Sequence, residues 1–356
     1  MILLNPGPVN VSPRVTAALA RGDLCHREPE CDALLTRIRT QLVRAFAPRG
    51  GFTAVLLTGS GTAALEAAVT SVLSPTGRLV VVANGVYGER IAAMAEAARL
   101  PFTVVAGEWT APPDLDALES ALRPPDVEAV AVVHHETTTG LLNPVAAVGE
   151  ITRRHGKLLL IDSVSGLGGD ALDLDAVGAD LVVGTANKCI QGLPGMSFVL
   201  VRDAAMARLA SYPRRSLYLS LPVHHEAALR GSTPYTPAVQ VGYAFDEALA
   251  ELLEESVDAR VARYARAAAQ LRAGFAELGL ECLLPPDLRS NSITTLYLPA
   301  GRTYAALHDG LKARGFVVYE GQGRLQRAVF RVANMGALGS HDFTRFLVAL
   351  GEVLRA

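Results

Sequence analysis

The sequence predicts an α/β fold: a mostly parallel seven-stranded sheet with helices on both faces, plus a smaller C-terminal α+β domain. Short apolar runs alternate with helical patterns through the first two-thirds of the chain, and alternation at that spacing builds parallel sheets. The runs are continuous rather than alternating with polar residues, as strands buried on both faces should be. Beyond Gly279 the order of strands and helices changes character, which predicts the second domain.

In chain order, strands are expected over Ala54–Thr58, Leu79–Ala83, Phe102–Ala106, Ala129–His134, Leu158–Asp162, Leu181–Gly184 and Ser197–Arg202. The helical patterns between them cover Gly61–Val72, Gly88–Ala98, Leu115–Leu122 and Val145–Arg154. A Pro-rich, less regular segment runs from Tyr212 to Pro237. A long helix follows from about Val239 to Leu278, with Gly279 as its stop signal. Strands over Ser292–Tyr297, Val317–Tyr319 and Phe330–Ala333, with helices over Tyr304–Arg314 and Ser340–Leu354, complete the smaller domain. The expected division is a large cofactor-binding domain over 15–240 and a small domain from 1–14 and 241–356.

A chain of 356 residues, half of them hydrophobic, buries a sizeable core and has the length of two domains. A net charge of −2 argues against a dedicated nucleic-acid binder. The apolar stretches are interrupted well short of the roughly 18–20 residues that span a bilayer, so no membrane segment is expected. The start, MILLNPGPVNV, lacks the basic and apolar regions of a signal peptide. Cys25, Cys31, Cys189 and Cys282 are widely spread, with no CxxC pair and no Cys/His spacing for a metal. They are expected to be reduced thiols in a cytoplasmic protein that holds no metal.

Of 33 basic residues only Lys157, Lys188 and Lys312 are lysines. Any chemistry that needs a primary amine therefore has three candidates. Lys188 directly follows the apolar run Leu181–Gly184, and an ammonium at the mouth of a buried strand is costly unless it is used. Lysine also forms Schiff bases with carbonyl cofactors. Asp162 ends another run, Leu158–Asp162, so both side chains are expected at carboxyl ends of strands, where open α/β sheets bind ligands. A carboxylate there can keep a pyridine nitrogen protonated, although an Asp after a strand also serves as a turn or cap residue. Thr58-Gly59-Ser60-Gly61-Thr62 joins a strand to a helix, and free N–H groups at such a turn bind anions. It is neither a P-loop nor a full GxGxxG, and alone it is equally a plain turn. Cradle, carboxylate and lysine in that chain order are far more specific together than apart.

These segments resemble the class V aminotransferases, a family of fold-type I pyridoxal phosphate (PLP) enzymes, over essentially the whole chain. Asn5-Pro6-Gly7-Pro8 is similar to the family's N-terminal motif, and Asn84-Gly85-Val86-Tyr87-Gly88 to its cofactor-stacking loop. Ile161-Asp162-Ser163-Val164-Ser165 and Ala186-Asn187-Lys188 resemble the aspartate and Schiff-base lysine segments. Thr233-Pro234-Tyr235-Thr236-Pro237 is similar to the segment that reaches the neighbouring subunit's cofactor phosphate. Within the class, His135-Glu136-Thr137-Thr138-Thr139-Gly140, Asn187-Lys188-Cys189-Ile190-Gln191-Gly192 and Arg215-Ser216-Leu217 point to members that act on 2-aminoethylphosphonate. His26-Arg27-Glu28-Pro29-Glu30 is equally similar to a segment of alanine–glyoxylate and serine–glyoxylate aminotransferases.

The resemblance implies PLP on Lys188, whose amine then serves as the proton-moving base, with Asp162 pairing with the pyridinium nitrogen. Tyr87 and Val164 would flank the cofactor ring, though Tyr87 alone reads equally as a core residue. Ser60, Gly61, Thr62 and Thr185 would hold the phosphate, joined by Tyr235 and Thr236 from the partner in a homodimer. Thr137 would bond near the ring hydroxyl or the substrate. Arg331, within an apolar strand, matches the arginine that binds the substrate carboxylate with its planar fork. His26, Arg27 and Arg215 are weaker candidates for the substrate anion.

The implied reaction moves the amino group of 2-aminoethylphosphonate to pyruvate, giving phosphonoacetaldehyde and alanine. Another small donor with a keto acid, such as alanine or serine with glyoxylate, is an alternative. A PLP lyase and a sheet-mouth binding protein are further ones. His134, His135 and Cys189 read as structural residues.

Overall fold

The computed structural model describes residues 1–356. Its central sheet contains β1 (Phe52–Thr58), β2 (Arg78–Ala83), β3 (Phe102–Ala106), β4 (Val127–Val133), β5 (Leu158–Asp162), β6 (Leu181–Thr185) and β7 (Met196–Arg202), in the order β1-β7-β6-β5-β4-β2-β3. The strands from β6 across to β3 are all parallel. β7 runs against both its neighbours, pairing Met196 with Thr58 and Ser197 with Thr185. Two reversals restore the direction, so β1 points the same way as β6. The carboxyl ends of β1, β5 and β6 therefore share one edge of the sheet.

Side chains alternate between two buried faces. Val80 and Val82 of β2 point into one buried core, which also holds Leu34 and Ile38 of α1 (Pro29–Phe46) and Val148, while Leu79 and Val81 point into the other, with Leu65 of α2 (Gly61–Ser71) and Ile91 of α3 (Val86–Ala97). Burying each such side chain contributes about 1.5–3 kcal/mol, so helices on both faces are what the continuous apolar strands require.

Most expected elements form within a residue or two of their expected bounds. The differences have identifiable causes. The span Val239–Leu278 is two helices, α4 (Val239–Glu255) and α5 (Val257–Glu277). Ser256 breaks it with a φ of 72°, and its hydroxyl accepts the Ala259 N–H at 3.2 Å as the cap of α5. The Pro-rich segment contains a helix over Leu221–Leu229, with its proline in the first turn, where no amide donor is needed. β3 is an edge strand paired only with β2, so Val104 is exposed rather than buried on both faces. The expected strand Val317–Tyr319 divides at Val318: Val317 pairs with Leu3, whereas Tyr319 pairs with Arg331 in another sheet.

That other sheet contains β8 (Ile293–Tyr297), β9 (Tyr319–Glu320) and β10 (Val329–Ala333), in the antiparallel order β8-β10-β9. It packs Leu296, Phe330 and Val332 against Leu271 and Phe275 of α5, Leu311, and Phe346. Leu4 joins this core, and Ile2–Leu3 pair in parallel with Phe316–Val317. The first residues thus pack with the last third of the chain before the backbone turns toward the central sheet. No helix is long and apolar enough to cross a membrane.

Candidate active site

Asp162 and Lys188 lie beyond two hydrogen-bonded parallel strands, β5 and β6, in which Asp162 pairs with Val183. Asp162 is 4% exposed, and its Oδ1 accepts the Val164 N–H at 3.0 Å, while Oδ2 has no protein partner. Burial pushes its carboxyl up to about 6. The half-buried Lys188 donates from Nζ to the Pro6 carbonyl. Burial pushes its amine down to about 8, and the cations Arg331 and Arg90 act in the same direction. Gly7 makes the contact possible: with φ at +109°, a Cβ there would lie 2.9 Å from Nζ.

Ser60, Gly61 and Thr62 open α2 at the same sheet edge. Ser60 caps the helix with its backbone extended, and its hydroxyl makes no capping bond. The Gly61 and Thr62 N–H groups have no intrahelical acceptors, and the positive dipole end they form attracts an anion. Gly61 lets this turn approach Val164, whose methyls lie 2.9 Å from where a Cβ would stand. Thr185 differs from its expected use: its hydroxyl donates to Asn187 Oδ1 at 2.8 Å and must turn to reach a phosphate oxygen.

Tyr87 is half-buried in the first turn of α3. The Arg90 guanidinium, one turn on, sits 4.7 Å from its ring centroid and covers one face. Glu136 is fully buried beneath, accepting the N–H groups of Tyr87 and Gly88. Burial pushes the Glu136 carboxyl up to about 7. Thr137, next along, has a buried hydroxyl with no protein partner, and its carbonyl accepts from Arg331.

Arg331 lies in the middle of β10 and is 2% exposed. Its Nε donates to Glu320 O at 2.9 Å, and its Nη1 to Thr137 O at 3.1 Å and Gln322 Oε1 at 3.2 Å. Nη2 has no protein partner. A guanidinium held this way across the two sheets presents a fixed cation to an anionic substrate.

The remaining expected residues fall outside this group within the chain. Arg27 donates to Thr233 O at 2.7 Å, tying its segment to the one containing Tyr235. No hydrogen bond or ion pair links the half-buried His26 to Lys188, Asp162 or Arg331. Arg215 gives its donors to Leu73 O at 2.7 Å and Ser74 O at 2.8 Å, so it secures the carboxyl end of α2 and has little left for a substrate anion. The Tyr235 ring packs 4.9 Å from that of Tyr218, and Arg214 donates to its hydroxyl at 3.2 Å. Thr236 beside it is exposed.

The residues read as structural have structural surroundings. His134 Nδ1 meets Ser163 Oγ at 3.0 Å, and burial pushes its imidazole down to about 4. His135 is buried and pushed down to about 3. Burial pushes the Cys189 thiol up to about 12, far from a reactive thiolate. Sequence reasoning did not single out Glu136, Arg90 or Gln322. Glu136 stood inside a quoted motif and Arg90 three residues after Tyr87, but Gln322 carries no local signal.

PLP fits these residues on observations internal to the structure. A buried carboxylate has one oxygen unused, a buried Thr137 hydroxyl lacks a partner, and a helix N-terminus with an unused Ser60 hydroxyl faces the same edge. An amine with a lowered pKa beside a pyridinium-pairing carboxylate is what a carbonyl cofactor needs, and the fold-type I PLP enzymes are the class that carries this pairing on such a sheet. Within that class, the model for the family "Aminotransferase class-V" matches residues 17–333, and the chain belongs to this family. It is a PLP-dependent aminotransferase.

The chain is 38% identical over 361 residues to a 2-aminoethylphosphonate–pyruvate transaminase of Vibrio cholerae, covering 99% of this chain and 97% of the relative. A Syntrophobacter fumaroxidans protein of the same name is 38% identical over 366 residues, covering 99% and 96%. Among solved structures, an aspartate aminotransferase of Thermus thermophilus superposes with a TM-score of 0.91 at 30% identity, over 100% of this chain and 99% of that one. A ureidoglycine–glyoxylate aminotransferase of Bacillus subtilis gives 0.93 at 25% identity, over 99% and 92%.

Proposed function

We propose that this protein transfers the amino group of 2-aminoethylphosphonate to pyruvate, yielding phosphonoacetaldehyde and alanine. The observation that carries the reading is the near-full-length similarity to 2-aminoethylphosphonate–pyruvate transaminases, at 36–38% identity. The fixed Arg331 cation supports it, since both donor and acceptor carry an anionic end.

Asp162 pairs with the pyridinium nitrogen through its free oxygen, and Tyr87 and Val164 flank the ring. Gly61 and Thr62 N–H groups and the Ser60 and Thr62 hydroxyls receive the phosphate, with Thr185 turning to join them. When bound, PLP supplies the electron sink that lets an amino group change partners. Lys188 Nζ would hold the cofactor and, once the donor's amine has displaced it, its freed amine would take the proton from the donor's amino-bearing carbon. Arg331 Nη2 binds the anionic end of each substrate in turn, since the two half-reactions use one site.

Tyr235 and Thr236 act across a homodimer on the partner's phosphate. The flanking Leu217 and Leu229, 72% and 75% exposed, are the apolar surface such a dimer would cover. The large domain over 15–240 then carries the cofactor, and 1–14 with 241–356 carries Arg331.

The test is a donor panel on the holoenzyme, pairing 2-aminoethylphosphonate, alanine and serine with pyruvate and glyoxylate. The expected outcome is phosphonoacetaldehyde release with pyruvate as the preferred acceptor. Preference for alanine or serine with glyoxylate would overturn the donor assignment. Turnover without any keto acid would indicate a lyase.

A further inference from the structure

The Arg331 guanidinium has only donors. The Gln322 amide that meets it at 3.2 Å must therefore present its oxygen. That contact orients the amide, and its Nε2 is the end left over, with no acceptor in the protein. Arg331 Nη2 is unpartnered as well, because the other protein contacts use Nε and Nη1. Two free donor groups, one charged and one neutral, thus lie one amide apart.

Gln322 is not on a loose turn. Its carbonyl accepts the Leu325 N–H at 3.0 Å, and Gly321 N donates to Val329 O at 3.0 Å. Two residues on, the Arg324 guanidinium lies 4.4 Å from the Trp109 ring centroid. Trp109 Nε1 in turn donates to Glu89 Oε1 at 2.9 Å, on the helix that carries Tyr87. The turn is therefore clamped to α3, and Gln322 is half-buried between the two sheets' contributions to the site.

With Nε and Nη1 engaged, only Nη2 faces an anion, and its two N–H bonds meet at most two oxygens. A carboxylate has no third oxygen, whereas a tetrahedral phosphonate does. We propose that Gln322 Nε2 donates to the third oxygen, making Gln322 a substrate-binding residue that favours a phosphonate over a carboxylate at Arg331. The proposal deepens the donor reading above and rests on it.

The test compares ethylphosphonate and propionate as inhibitors of the holoenzyme's pyruvate half-reaction, in the wild type, Gln322→Leu and Gln322→Met. Loss of one hydrogen bond to an anionic oxygen should weaken ethylphosphonate about ten- to hundredfold in both variants. Propionate should weaken clearly less than ethylphosphonate in each variant, because both anions lose the Oε1 contact that helps hold Arg331 but only the phosphonate loses the Nε2 donor. The kcat/KM for 2-aminoethylphosphonate should fall with ethylphosphonate binding, and by more than that for pyruvate. Equal weakening of both anions, or no change in either, overturns the role of Gln322. A wild type that turns over no aminophosphonate overturns the donor reading alone, and the inhibitor pair still decides the role of Gln322.

Discussion

Glu136 fastens the first turn of α3 through Gly88: its Oε1 accepts the Gly88 N–H at 2.9 Å, and Oε2 accepts that of Tyr87 at 3.2 Å. The helix N-terminus favours the charged carboxylate, while complete burial opposes it and wins. A carboxyl raised from 4.5 to about 7 binds more protons in the folded state than in the unfolded one across that window. Its contribution to stability is therefore fully present below pH 4.5 and is lost as pH rises to about 7. Asp162 and Asp170, also raised, share this trend. Comparison with Glu136→Gln isolates the Glu136 part: the slope of unfolding free energy against pH should become shallower by up to about 1.4 kcal/mol per unit. Urea unfolding of cofactor-free protein from pH 5 to 8 measures it; identical slopes would refute the assignment.

Lys188→Ala should abolish covalent PLP attachment. Lys157 precedes β5 by one residue and Lys312 lies on the helix Tyr304–Ala313 beside Arg314, so neither stands at the sheet edge. Borohydride reduction followed by mass spectrometry reads the result directly. PLP mass retained on the variant would show that another amine serves.

The rate of PLP attachment to cofactor-free protein should rise with pH through about 8, the region to which burial brings the Lys188 amine. The neutral amine is the nucleophile, so attachment is slow below that region and levels off above it. Arg331 is one of the cations that lower this pKa, and Arg331→Ala should therefore move the midpoint upward. A stopped-flow absorbance series in both proteins checks the position and the direction.

Arg331→Ala should also lower kcat/KM about 100-fold for donor and for acceptor, the scale of a lost charge-assisted contact. Each half-reaction is measured separately under single-turnover conditions. Unchanged values for both substrates would remove Arg331 from the site.

The strands Leu158–Asp162 and Leu181–Thr185 were legible because burial on both faces leaves an unbroken apolar run, and the chemistry stands at the ends of those runs. That is why Asp162 and Lys188 could be read without a structure. Val104 misleads for the same reason, since an apolar edge strand looks like a central one. The break at Ser256 has neither Gly nor Pro to announce it. α1 did leave a signal, with Cys31, Leu34, Leu35, Ile38 and Leu42 at helical spacing. The partners of Glu136 lie 48 and 49 residues away, and Gln322 meets Arg331 nine residues on, across an irregular turn; no periodicity encodes either contact.

Pro6 reaches Lys188 from a segment anchored late in the chain: Ile2 and Leu3 pair with Phe316 and Val317, and Leu4 O accepts the Ala333 N–H at 2.8 Å. On the ribosome, the residues that flank the reactive amine are made first, but the strand that holds them is made near the other end. Domains otherwise fold from the N-terminus during synthesis. Here the central sheet has all its strands once residue 202 is available, yet the segment that brings Pro6 to the amine lacks its anchors until residues 316–333 have emerged. A nascent chain stalled between those points would carry a finished sheet and an unfinished catalyst.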